Sequence, residues 1–264
     1  MFIFGIDQIV VCLVDSEGER CDINEKENMS DTPLGWAAKN GREAVVEILL
    51  RRSDIDPNKP GNKDRTPLLW AAYYGHEGVV KLLLGRDDVN PNIPEDCGIT
   101  PLSWAACLGH EGVVKLLLRR DDVNPDEQDV EGQTPLLTAA LFGRGGTAEI
   151  LLERGDVDPN KSGYRGRTPL SEAARNGYEG VVKILLRHDD VDPNKPDNDG
   201  QTPLLRAAKN GHEAVVRILL GRDDVDPNKP DKNGRTPLTY ASENDYPGVI
   251  ALLQPPTPPT RGTA

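Results

Sequence analysis

The sequence predicts an all-α solenoid of stacked helix–turn–helix repeats joined by turn or hairpin loops, and three observations carry that prediction. The first is a strict period. Thr-Pro begins at Thr32, Thr66, Thr100, Thr134, Thr168, Thr202 and Thr236, always 34 residues apart. The second is what keeps phase with it: an Ala-Ala pair from Ala37-Ala38 to Ala207-Ala208, then a glycine from Gly41 to Gly211, decaying to Ala241-Ser242 and Asp245 in the last unit. The third is composition, since 26 Gly and 22 Pro with 5% aromatics suit many short elements and turns better than one thick core. Self-similarity at a fixed period is the signature of a repeat architecture.

Each element of the unit follows in order. Thr is a good N-cap, and Pro at the first helical position gives up an N–H that has no helical partner anyway. The glycine about two turns later admits the left-handed conformation that ends a helix. A second helix follows, as in Glu77-Gly-Val-Val-Lys-Leu-Leu-Leu84, apolar at helical spacing. A loop such as Asp190-Val-Asp-Pro-Asn194 then turns the chain into the next unit. Helices this short are marginal alone in water and need their neighbours.

Charge and cysteine usage narrow the function classes. Lys and Arg number 31 against 43 Asp and Glu, a net charge of −12, which disfavours direct nucleic-acid binding. No apolar run reaches the roughly 18 residues of a membrane helix. Cys12, Cys21, Cys97 and Cys107 form no CxxC pair, which suits a reducing compartment, the cytoplasm or alternatively the nucleus. His76, His110 and His212 sit one or more repeat phases apart, too distant for one metal whose His bonds are about 2 Å. Asp190-x-Asp192-x-Asn194 begins like a calcium loop, but Lys195 stands where that loop needs Gly. No Ser-His-Asp arrangement or phosphate-cradling loop is present, and Cys107 has no base placed beside it by the pattern. The expectation is a non-enzyme with no cofactor and no metal.

The ends differ from the units. Residues 1–26 match no full repeat; Ile9–Val14 followed by Asp22-Ile-Asn24 suggests a degenerate cap or partial repeat, with a strand hairpin or a longer, truncated array as alternatives. Met1–Val14 lacks a basic n-region, so no signal peptide is expected. Residues 254–264 contain Pro255-Pro-Thr-Pro-Pro259 and are expected to form an extended, mobile tail.

The pattern G-x-T-P-L-x-x-A-A-x-x-G-H-x-x-V-V-x-x-L-L resembles the ankyrin repeat, in seven copies spanning residues 27–253. The loop Pro-Asn and the TPLxWAA form look like arrays of fungal proteins. Two departures stand out. Gly35, Leu69, Ser103, Leu137, Ser171, Leu205 and Thr239 replace the family's His after Thr-Pro-Leu, which implies missing hydrogen bonds and less rigid repeats. The fourth repeat reads Arg144-Gly-Gly-Thr-Ala148, and glycine costs up to about 1 kcal/mol in a helix. The array is therefore expected to open first near residues 143–149.

The resemblance implies binding through loop fingertips and the concave face of the first helices. Fingertip candidates include Arg65, Cys97, Tyr164, Arg165, Arg167 and Lys232. Two positions before the turn glycine read Tyr73-Tyr74, Cys107-Leu108 and Leu141-Phe142 in repeats 2 to 4, but Lys39-Asn40, Arg175-Asn176 and Lys209-Asn210 elsewhere. One turn earlier stand Trp36, Trp70 and Trp104, giving way to Thr138, Glu172, Arg206 and Tyr240. The tryptophans are read as a short ladder, on either the binding face or the packing between repeats. Exposed apolar patches with aromatics and Arg mark interaction sites. The leading expectation is a monomeric scaffold or adaptor that holds a protein partner, with Arg165, Arg167, Arg175, Arg206 and Lys209 steering an acidic segment. The alternatives are a groove that binds or transforms a small hydrophobic ligand, and a transcriptional co-regulator acting through a partner.

Overall fold

The computed structural model describes residues 22–25 and 31–254. The expectations for most of residues 1–26, for the tail beyond Gln254, and for Cys12 and Cys21 lie outside the described residues. Among those described, fourteen α-helices form seven pairs and no strand occurs. The pairs are Pro33–Lys39 with Glu43–Leu50, Pro67–Tyr74 with Glu77–Leu84, Pro101–Leu108 with Glu111–Leu118, and Pro135–Leu141 with Gly145–Leu152. Pro169–Asn176 with Glu179–Leu185, Pro203–Lys209 with Glu213–Leu220, and Pro237–Glu243 with Pro247–Leu253 complete the array.

Every first helix starts by the same local chemistry. The Thr Oγ1 accepts the backbone N–H three residues on, from Thr32 with Gly35 (3.1 Å) to Thr236 with Thr239 (3.2 Å), and Pro follows at the first position. The residues that replace the family's His are on the donating side of that bond, so the cap forms without an imidazole. Ser171 adds a second bond, from its hydroxyl to the Thr168 carbonyl at 3.0 Å. Gly75 closes its helix at φ +75°, and the last repeat uses Asp245 at φ +55° for the same turn. His76, His110 and His212 serve those turns: each Nε2 meets a carbonyl of the preceding repeat, on Lys39, Tyr73 and Arg175, at 3.1, 3.1 and 2.8 Å. In the fourth repeat Arg144 Nε donates to the Cys107 carbonyl (3.0 Å) instead.

First helices pack on first helices and second on second, so the core is continuous along the array. The Ala-Ala pairs are wholly buried, and their small side chains let neighbouring helices approach closely. Val79, Val80 and Leu83, with their equivalents, supply the apolar side of each second helix. The fourth repeat keeps its helix despite Gly145-Gly146, because Ala148 and Leu151 are fully buried in the same core. Its Thr147 Oγ1 is buried with no hydrogen-bond partner among the described residues. Fingertip loops are hairpin-like turns, closed for example by the Glu95 N–H on the Ile99 carbonyl (3.1 Å) and the Asp197 N–H on the Gln201 carbonyl (3.1 Å).

Candidate recognition face

The end of the first helix is where the repeats divide. In four of them an Asn stands at this position and its Nδ2 donates to a carbonyl of its own last turn. Asn40 reaches Trp36 (2.8 Å), Asn176 reaches Glu172 (3.0 Å), Asn210 reaches Arg206 (2.8 Å) and Asn244 reaches Tyr240 (3.0 Å). Each amide adds a second donor at the helix end, for example on the Trp36 carbonyl, which also accepts the Asn40 N–H (3.2 Å), and on the Tyr240 carbonyl, which also accepts the Asn244 N–H (3.1 Å). Tyr74, Leu108 and Phe142 occupy the same position in repeats 2 to 4 and carry no such donor aimed at the turn. Tyr74 is 45% exposed and Phe142 47%, with Leu108 half-buried between them. Repeats 2 to 4 thus lack this helix-end bond and carry apolar side chains at an open position, and breaches of local rules concentrate at functional sites.

Behind this row lies a fixed aromatic cluster. Trp70 stacks on Tyr74 with ring centres 6.0 Å apart, and Tyr73 meets Trp104 edge-on at 4.7 Å. The ladder of tryptophans takes a different form from the one expected: the Trp70 and Trp104 rings are bridged by Tyr73 and by the Arg65 guanidinium. That group sits 4.6 Å from the Trp70 ring centre, 4.9 Å from Tyr73 and 5.4 Å from Trp104, and pairs with Glu95. Trp70 is buried and its Nε1 donates to Asp31 (2.8 Å), so it belongs to the packing between repeats rather than to open surface. Trp36 and Trp104 are half-buried. Arg65, read as a fingertip side chain, is buried for the same reason.

The charged half of the face also differs from expectation. Arg206 is buried and paired with Asp197, whose side chain has no exposure at all. Arg167 pairs with buried Glu172 at 2.9 Å, and Arg175 reaches the other oxygen of that carboxylate at 3.4 Å. Tyr240 takes the same position one repeat later and donates to Asp231 (2.8 Å), with burial first and then that carboxylate holding its hydroxyl above the usual range. Arg206 and Tyr240 are therefore each matched to a loop carboxylate and Glu172, at the same position, to Arg167, so Arg206 and Arg167 leave the set that could steer an acidic partner. Arg165 and Lys209 remain exposed, over the Tyr164 and Tyr240 rings at 5.3 and 4.7 Å. Tyr164 is 56% exposed at its fingertip; Cys107 and Leu141 are half-buried beside the row.

Burial pushes the Cys107 thiol up, and Arg144 only partly offsets this, the reverse of the activation a nucleophilic thiol needs. No cluster of metal-ligating side chains occurs among the described residues. Clear hollows lie elsewhere, between second helices: one of 860 Å³ lined by Glu47, Arg51, Lys81 and Leu82, and smaller ones beside Lys115 and Lys183. The aromatic cluster lines none of these. No described helix is long and apolar enough to cross a membrane.

The Asn positions were visible as a polar contrast in the sequence, yet their capping role was not, because nothing in the pattern says where the amide points. Glu95 and Asp31 gave no signal, since each lies 30 to 39 residues from the side chain it meets.

Fold and site together define a helical repeat solenoid whose first-helix face carries the exposed Tyr74 and Phe142 side chains. The chain belongs to the ankyrin repeat family, whose model matches in three copies, over residues 3–95, 87–162 and 170–259. Members of this family serve in general as protein–protein interaction modules. No curated protein matches the chain.

Proposed function

We propose that this chain is a non-catalytic scaffold or adaptor that holds a protein partner on its first-helix face, with Tyr74, Leu108 and Phe142 as the apolar contacts. Tyr73, Trp104, Cys107 and Leu141 form the floor beneath them, and Tyr164, Arg165 and Lys209 border the row. The observation that carries this reading is the replacement of the helix-end Asn by an apolar side chain in repeats 2 to 4 alone, exposed in Tyr74 and Phe142. Aromatic side chains on a rigid support make strong contacts at low entropic cost. Trp70, Arg167 and Arg206 act by holding that support. The exposed thiol of Cys97 suits a reducing compartment such as the cytoplasm or nucleus.

The test is a triple variant, Tyr74→Asn/Leu108→Asn/Phe142→Asn, which restores the amide used by the other repeats. Wild type and variant are compared by affinity capture and mass spectrometry, with circular dichroism to check folding. A partner held by the wild type and lost by the folded variant supports the reading. Identical capture by both overturns it.

A further inference from the structure

A ladder of side-chain amides ties successive loops together. Asn58 Nδ2 donates to the Asp88 carbonyl (2.6 Å) while its Oδ1 accepts from the Asn90 N–H (2.8 Å). Asn24, Asn92, Asn160 and Asn194 repeat this pair of bonds, always to a carbonyl 30 residues on and an N–H 32 residues on. Asp126 stands at the rung between the third and fourth repeats. Its Oδ2 accepts from the Asp158 N–H at 2.9 Å. Its Oδ1 is buried and has no hydrogen-bond partner among the described residues. An amide at this place donates and an ionised carboxylate only accepts. By register, the bond that is lost is the one to the Asp156 carbonyl.

We propose that Asp126 is a protonation-controlled latch: as a carboxylate it leaves the rung between repeats 3 and 4 half made, and on taking a proton from solvent it donates from Oδ1 to the Asp156 carbonyl and completes the rung. The groups around it are accounted for. Burial is the main influence and pushes the Asp126 carboxyl up; the Asp158 N–H and the Lys161 ammonium pull it down, and the Asp158 and Asp156 carboxylates push it up again. Lys161 is held close, its Nζ donating to the Asp126 carbonyl at 2.9 Å. The folded value lies above that of the free side chain, so the folded seam binds the proton more strongly than the unfolded chain does. The latch is therefore closed below the unfolded value and opens as pH rises through the folded one. The seam separates the repeats that carry Leu108 and Phe142, so its opening changes the spacing of those two side chains, a consequence that rests on the recognition reading above while the latch itself does not.

Amide hydrogen exchange of the full chain, wild type and Asp126→Asn, tests this from pH 8 down to the free carboxyl's range at about pH 4, after correction for intrinsic rates. The Asn variant places at this rung the residue used by five others, so it is expected to fold. At pH 8 its amides over residues 156–160 should exchange about fivefold more slowly than in the wild type, the effect of one added hydrogen bond. The difference should close as pH falls, while the rungs at Asn58 and Asn92 exchange equally in both proteins and serve as the internal reference. Equal exchange over 156–160 at every pH, or faster exchange in the variant, overturns the proposal. Neither readout involves a binding partner, so failure here is distinct from failure of the recognition reading.

Discussion

Replacing Arg206 by Met tests whether the charged half of the first-helix face holds loops in place. Arg206 is 7% exposed and directs its guanidinium, Nε at 2.7 Å, onto an Asp197 carboxylate that is wholly enclosed. The other carboxylate oxygen accepts the N–H groups of Asp199 (2.8 Å) and Gln201 (2.9 Å), so the whole fingertip turn is organised around this one group. Met keeps most of the stem's packing but removes the charged donors, which leaves the carboxylate buried beside backbone alone. Breaking a buried pair in this way costs about 3–5 kcal/mol. That is a large part of the roughly 5–15 kcal/mol by which a domain is stable. Arg175→Met is the control: its side chain is 41% exposed and 3.4 Å from Glu172, so solvent screens the pair and its removal costs under about 1 kcal/mol. Urea unfolding followed by circular dichroism reads the totals. Hydrogen exchange across residues 197–209 reads the location, because damage in a repeat array stays near the altered repeat. Should Arg206→Met lose no more stability than Arg175→Met, the pair does not organise the loop and Arg206 returns to the recognition surface.

Further outcomes are expected. Phe142→Asn exchanges a half-buried ring for a helix-end amide; the lost burial, about 1 kcal/mol, and the added bond, also about 1 kcal/mol, nearly cancel, so the urea midpoint should hardly move. Thr147→Val removes a buried hydroxyl without a partner at similar volume and should stabilise the fourth repeat by about 1 kcal/mol in the same assay. The wild-type array should show its least protected helix at residues 143–149, and uniform exchange across the array would contradict this. Asp54, Asp88, Asp122 and Asp224 are held below the usual carboxylate range, chiefly by hydrogen bonds from Arg52, Arg86, Arg120 and Arg222. Their stabilisation is present above the unfolded value and is lost as pH falls through the folded one. Acid should therefore lower the melting temperature less steeply in 1 M salt than in low salt, since these pairs are exposed.

How far the recognition face could be read in advance depended on the range of each interaction. Tyr74, Leu108 and Phe142 stood out because they break a polar pattern within their own repeats, and two of the three are indeed well exposed. Trp70 looked the same from sequence, yet its indole donates to Asp31, 39 residues earlier, and is enclosed. Arg206 and Arg165 are both cations near a Thr-Pro; one is buried on Asp197 and the other lies open over Tyr164. No local pattern separates them, because the carboxylate that decides is held by the shape of a loop.

By itself the sequence determined the unit and its repetition. Thr caps, Pro at the first position and the turn glycine act within about four residues, so helix starts, stops and the 34-residue register followed from short-range chemistry. The tertiary structure alone decided which polar groups are matched within the array and which face outward. Glu95 comes to Arg65 across 30 residues, from the next repeat, and Asp197 comes to Arg206 across 9 within one repeat; the first meeting needs neighbouring repeats to stack and the second needs the fingertip loop to close. Burial makes an unmatched charge costly, so these pairs are fixed firmly, while the Tyr74 and Phe142 side chains keep nearly half their surface open.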